Sequence, residues 1–268
     1  MGKHAFSLKT IYLAALTAVF AVSFFAFVAF DLYSQQRQTE QAMLEEARTF
    51  AREMDAVWQF MDNSQSIINN SSSGGYEFKG LHCSVVGKSV GRLFSAGSDY
   101  RIRYTNFDPR SEQDIPDEFE TKALEAFNAD RSVTEYYGVA PFDGEDRFRY
   151  LQALEVDDSC LECHGEPVGE LDITDHAKEG WTLESVGGAI SIVIPLDQQQ
   201  AAMRGNVIRD MAYFLLITVF IGLVILVVTT VFVLRPLGGM HAAFGELKQG
   251  RLGRSEEHTS ELQSHSTI

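Results

Sequence analysis

Cysteine is scarce in this chain: three residues in 268, too few for the multi-bridge framework that staples a small secreted domain. The fold must therefore be held by a packed core. Basic residues are also outnumbered, 22 Lys and Arg against 37 Asp and Glu, for a formal charge of −15. A surface this negative repels phosphate backbones and anionic headgroups, so no nucleic-acid partner is expected. Proline is thinly spread, six in all, and there is no internal repeat and little low complexity. A phosphate-binding loop is missing as well. Val86-Gly87-Lys88-Ser89 resembles the end of one, but His82 stands where the motif requires its first glycine. No catalytic constellation is present, and this chain is not expected to be an enzyme by itself.

Charge is absent altogether from residues 10–30 and 211–234. Each run is long enough to cross a hydrocarbon core about 30 Å thick. The first lacks a small-x-small cleavage site and reads as an uncleaved anchor. Lys3 and Lys9 precede it, and Arg235, Lys248 and Arg251 follow the second run; the positive-inside rule puts both ends in the cytoplasm. Arg204 and Arg209 on the outer side weigh against this, but two spans force both termini onto one face. The expected organisation is a cytoplasmic N-terminus at 1–9, a span at 10–30, a stem helix and joint at 31–75, and a folded body at 76–210. A second span follows at 211–234, then a linker at 235–253 and an unrelated tail at 254–268. Residues 31–210 then lie outside a bacterial cytoplasmic membrane and suffice for one sizeable core.

Within that outer segment stands Cys160-Leu161-Glu162-Cys163-His164, the C-x-x-C-H attachment signature of a c-type haem. Two thiols three positions apart reach the two vinyl groups of one porphyrin as thioethers, and the next imidazole reaches the iron. Haem c is the expected cofactor, with Cys160 and Cys163 attaching it and His164 as an axial ligand. A structural zinc site would want a second ligand pair at short spacing, and the next histidine, His176, stands alone. A redox dithiol would open a helix in a βαβ pattern, whereas Asp157-Asp158-Ser159 and Gly165-Glu166-Pro167 bracket the motif in loop-forming residues.

The rest of the outer segment reads as α+β. Met43, Ala47, Phe50, Met54, Val57 and Met61 follow alternating steps of four and three, the spacing of a coiled-coil seam suited to a parallel homodimer, or of an amphipathic helix packed on its own domain. Residues 69–75 (NNSSSGG) read as a flexible joint. Strands are expected at 100–107, 134–139, 148–156 and 188–195, and a helix at 116–129, opened by proline and acids. The last strand feeds a helix that enters the second span.

The odd thiol is Cys83. As a thiolate it is a candidate for the second axial position, in competition with neighbouring His82 and with His176; Met54 and Met61 are more distant options. As a bland alternative it is a small buried hydrophobe.

After the second span, Leu234-Arg235-Pro236-Leu237 and Phe244-Gly245-Glu246-Leu247-Lys248-Gln249-Gly250-Arg251-Leu252 resemble the opening of a HAMP linker. The outer segment in turn resembles the c-type haem-containing PAS-like sensors found ahead of HAMP linkers in receptors and sensor histidine kinases. The likeness covers roughly residues 40 to 200. It rests on Cys160 to Gly165, Arg103-Tyr104-Thr105-Asn106, Arg110, Pro116-Asp117-Glu118-Phe119-Glu120 and Gly187-Gly188-Ala189-Ile190-Ser191. Ser111-Glu112 replaces the family's usual Asn-Pro, and the usual Tyr-Pro is missing before Asp175. The resemblance implies a PAS-like antiparallel sheet with a long N-terminal stem helix, flanked by two transmembrane helices. It favours Cys83 as second axial ligand and makes Arg103 and Arg110 candidates for the haem propionates.

Residues 254–265 (RSEEHTSELQSH) look like translated sequencing adapter, so the natural protein is expected to continue into a cytoplasmic output domain, a histidine kinase among the options. The function expected is an extracytoplasmic haem c sensor of redox state or of a small gas such as nitric oxide. The alternative is a membrane-anchored monohaem cytochrome for electron transfer.

Overall fold

Val186–Pro195 is the strand that the rest of the sheet-bearing unit surrounds: from Gly188 onward every residue is buried. A strand buried on both faces needs cover on both sides. The computed structural model, which describes residues 8–248, supplies it with helices. Numbered in chain order, the strands are β1 (Arg101–Thr105), β2 (Glu135–Phe142), β3 (Glu145–Glu155) and β4 (Val186–Pro195). They form one antiparallel sheet in the order β1-β4-β3-β2. The register pairs Tyr104 with Ile190, Tyr150 with Ile192, and Tyr137 with Tyr150. Between β2 and β3 the chain reverses at Asp143-Gly144, a pair suited to a two-residue hairpin. The α+β expectation holds at this level, with all four expected strands in place.

Alternation sends Ile102, Tyr104, Phe148, Tyr150, Ile190, Ile192 and Ile194 to one face. There they meet α1 (Leu8–Asn63) through Met43, Ala47, Ala51 and Met54. The heptad-like seam is thus spent on the helix's own sheet, each fully buried large side chain contributing about 1.5–3 kcal/mol. The ground on which periodicity suggested a homodimer goes with it. Arg48 reinforces the docking with paired hydrogen bonds to Glu135 on β2, and Tyr100 donates to Glu46 at 2.7 Å. The presumed joint at 69–75 is pinned rather than free. Asn69 is buried, accepts from the Lys79 amide at 3.0 Å and donates to Gln65 at 2.8 Å. Residues 32–207 accordingly form one compact unit, stem included.

The opposite face of the sheet packs on α4 (Glu118–Ala129), whose Ala123, Leu124 and Phe127 meet Leu151 and Ala189. Asp117 opens α4 with a reciprocal capping box to Glu120. Charges are buried in this layer. Arg149, 1% exposed, bonds Asp117 at 2.7 Å and lies between the rings of Phe119 and Phe142. Glu120, fully buried, approaches Arg149 at 3.3 Å and Arg103 at 3.6 Å.

Three helices were not expected from sequence: the single turn α2 (Gln65–Ile68), α3 (Cys83–Ala96) and a short helix at Asp158–His164. Gly87, which made Val86-Gly87-Lys88-Ser89 look like a phosphate loop, serves helix packing instead, as does Gly91. A Cβ at Gly91 would sit 3.0 Å from the Ile102 carbonyl oxygen, and one at Gly87 2.9 Å from the Tyr104 hydroxyl. Their absence lets α3 lie directly on β1.

The second unit combines residues 8–31 with 208–248. Both of its long helices, α1 and α6 (Asp197–Thr229), are long and apolar enough to cross a membrane. They run antiparallel, with Phe27 stacked on Phe214 at 4.3 Å, Phe20 against Gly222 and Tyr12 hydrogen-bonded to Thr229 at 3.0 Å. A π-helical turn at Thr230–Leu234 precedes α7 (Arg235–Lys248). Pro236 lacks an N–H and its ring crowds the carbonyl four residues back, which accounts for a wider turn just ahead of it. The remainder of the HAMP-like linker and the adapter-like tail lie outside the described residues.

Gly91→Val should destabilise the protein by about 1–3 kcal/mol through overpacking against β1. Gly138→Val, at a β2 site where a side chain meets nothing within 4 Å, should stay within about 0.5 kcal/mol. Denaturant melts of the solubilised chain compare them, and equal losses would refute the α3–β1 contact as the cause.

Candidate functional site

The C-x-x-C-H motif forms α5 (Asp158–His164), so its loop-forming flanks act as cap and stop rather than as a loop. Asp157 caps it, its Oδ1 accepting from the Cys160 amide at 3.1 Å and the Ser159 hydroxyl at 2.7 Å. The helix ends where the Gly165 amide bonds the Leu161 carbonyl. Helical spacing puts Cys160 and Cys163 on one face, with His164 one turn beyond Cys160. Both thiols are free and half-buried. Burial, with the Asp157 carboxylate beside it, pushes the Cys160 thiol up to about 11, and burial with nearby Asp172 raises Cys163. Neutral thiols of this kind do not suit a redox dithiol, which needs a stabilised thiolate.

His164 is clamped by the segment 179–181. Its Nδ1 lies 2.7 Å from Glu179 Oε2, its ring stacks on Trp181 at 4.0 Å and 12°, and its carbonyl accepts from the Gly180 and Trp181 amides. Burial and the Arg110 charge lower the imidazole pKa, against the opposing pull of Glu179. Glu179 is itself held below its usual range: burial would raise it, but hydrogen bonds from Arg110 and His164 prevail. An ionised carboxylate only accepts, so the shared proton sits on Nδ1 and the Nε2 lone pair is left available to a metal.

Arg110 joins these pieces. It donates from Nε and Nη2 to both oxygens of Glu179 at 2.7 and 3.0 Å, from Nη1 to Asp172 at 2.6 Å, and from Nη2 to the Cys163 carbonyl at 3.0 Å. Asp172 accepts in turn from Thr174 and the His176 amide. Burial works to raise the Asp172 carboxyl, yet these donors and Arg110 hold it well below the carboxylate range.

The other sequence candidates are placed less centrally. Arg103 turns to the α4 face, donating to the Ile115 carbonyl at 2.7 Å and facing Glu120. His176 Nδ1 is engaged by Thr174. Met54 and Met61 are buried, Met54 within the core between α1 and the sheet. The Cys83 side chain lies outside the described residues; its backbone begins α3. The neighbouring His82 bonds Ser84 through Nδ1 at 2.8 Å, and its charge environment includes Lys88, Asp172, Arg110 and His164. The start of α3 and the end of α5 therefore share one neighbourhood. Sequence reading missed Asp172, Glu179 and Trp181. Trp181, one of two tryptophans, carried the only compositional signal, whereas two acids among 37 carried none. Among the described residues, no group of three or more His, Cys, Asp and Glu is arranged to hold a bare metal ion.

A family model described as Tll0287-like matches residues 36–195. Among solved structures, the crystal structure of the cyanobacterial heme-protein Tll0287 is similar, with a TM-score of 0.45 and 17% sequence identity over 57% of this chain and 95% of that one. No curated protein matches.

Asp172 and Glu179 stay ionised below the 3.8 and 4.5 of their free side chains. Their stabilising contribution is therefore complete above about pH 5 and is lost as pH falls through the lowered native values. Urea midpoints should drop between pH 6 and pH 3, and the drop should be shallower in Asp172→Asn. An equal slope in wild type and variant would remove Asp172 from the acid limb.

Proposed function

Because the chain belongs to the Tll0287-like family, we propose that its outer domain binds haem, attached as haem c through Cys160 and Cys163 with His164 as one axial ligand. The observation that carries this reading is the state of the motif: two neutral thiols on one face of α5, followed by an imidazole whose Nδ1 is pinned by Glu179 and whose Nε2 is left as a ligand. The surroundings fit a large apolar group. Phe60, Ile67 and Leu81 are exposed on the segments that carry Asp62 and His82; the Asp62 charge reaches Cys160, and the His82 ring feels the charge of His164. Bound haem supplies a one-electron iron couple and affinity for small diatomic ligands such as nitric oxide.

The second axial ligand in this proposal is Cys83, at the first position of α3. Its place gives the domain a means of signalling. A change at Cys83 pulls on α3, α3 rests on β1 through Gly87 and Gly91, and β1 pairs with β4 along its whole length. β4 ends at Pro195 and α6 begins at Asp197, so strain in the sheet is delivered to the helix that leaves it. A PAS-like sensor anchored by two spans in a bacterial cytoplasmic membrane, both termini inside, with a HAMP linker and an output domain beyond residue 253, makes use of that connection. Such coupling requires Cys83 to make different contacts in the two signalling states.

Replacing both Cys160 and Cys163 by Ala should abolish covalently bound haem in a pyridine haemochrome assay; retention would refute the attachment. Cys83→Ala should change the ferric optical spectrum and raise the midpoint potential, since a thiolate favours ferric iron, and an unchanged spectrum would remove it as ligand. Genomic sequence past Gly253 separates the sensor from a membrane-anchored cytochrome: a kinase, cyclase or chemotaxis domain supports sensing, and an immediate stop codon supports electron transfer.

A further inference from the structure

Resting on the haem reading above, we propose that Glu179 and Arg110 act as an opposed pair of positioning residues that sets how strongly the His164 imidazole donates to its metal. The argument begins from one shared oxygen. Glu179 Oε2 accepts from His164 Nδ1 at 2.7 Å and from Arg110 Nη2 at 3.0 Å, while Oε1 accepts from Arg110 Nε at 2.7 Å. A carboxylate that draws the Nδ1 proton gives the ring imidazolate character and raises its ligand basicity. A guanidinium gripping the same carboxylate in a charge-assisted fork withdraws density from that bond. The two groups therefore push the imidazole in opposite directions.

The geometry gives Arg110 no freedom to do otherwise. Besides the fork on Glu179, it holds the Cys163 carbonyl at 3.0 Å, one residue before His164, and is itself held by Asp172 at 2.6 Å. Four of its hydrogen bonds are made within the protein, leaving one N–H donor over. Arg110, for which the family resemblance implies a propionate role, here fixes α5 and Glu179 relative to each other. Lysine, a point charge without a fork, cannot hold both oxygens and the carbonyl together.

The test is a potentiometric titration of the solubilised chain, with covalent haem counted by pyridine haemochrome in each variant. Glu179→Gln weakens the pull on Nδ1 and removes a negative charge, so its midpoint potential should rise above wild type. Arg110→Gln frees the carboxylate and removes a positive charge, so its potential should fall; Arg110→Lys should fall by less and, if Arg110→Gln does not accumulate, supplies the same sign test. Ferric electron paramagnetic resonance should shift in opposite senses in the two variants. Potentials that move together, or that stay at the wild-type value with haem retained, overturn the opposed pair and leave haem attachment intact. A wild-type chain without covalent haem overturns both.

Discussion

Burial of both faces of one sheet is the constraint from which the folded unit at 32–207 follows. A strand as apolar as β4 exposes nothing useful to water, so α1 must cover one side and α4 the other. The stem helix becomes part of the core as a result, and the seam that would have served a partner chain is consumed. Arg149 and Glu120, buried on the α4 side, show that the cover is not purely apolar. Arg149 pairs there with Asp117 and faces Glu120, its guanidinium lying over the rings of Phe119 and Phe142.

That sheet also organises the site at its margin. β1 leads through Arg110 to the loop that carries Asp172 and Glu179, and β3 leads to the Asp157 cap of α5. Arg110, far away in sequence, and the loop that follows α5 then converge on His164. What holds them is a web of charge-assisted hydrogen bonds rather than apolar packing, with Arg110 common to most of them. Hydrogen bonds to charged groups contribute more than neutral ones, and losing one partner strands the others. The orientation of the His164 ring is therefore tied to the integrity of the whole loop.

Mechanical continuity is the second consequence of the architecture. α3 lies on β1 with glycine contacts that leave no room for slip, and β1 is hydrogen-bonded to β4. Because interiors are close-packed, such contacts transmit displacement rather than absorb it. A ligand at the head of α3 would thus be coupled to the strand that feeds α6 without any dedicated linker.

Much of the architecture can be read along the chain because its signals are local. β1 follows from period-two alternation, β4 from its short apolar run, α4 from Pro116 and the acids after it, and the C-x-x-C-H motif from five consecutive residues. α3 escaped because Gly87, Gly91 and several serines lower its intrinsic helix propensity, and tertiary contacts stabilise it, among them β1 beneath it, Phe50 against Phe94 and Asp114 paired with Lys88. The seam at Met43, Ala47 and Met54 is ambiguous for a different reason: a coiled coil and a helix packed on its own sheet demand the same period. Local pattern thus decided which residues are apolar, where strands alternate and which thiols stand beside a histidine. Tertiary structure alone decided that the stem packs inward, that Arg110 is bound to Glu179 and Asp172, and that Trp181 stacks on His164. Those choices depend on which segments meet in space, and no property of a single residue encodes which partner it will meet.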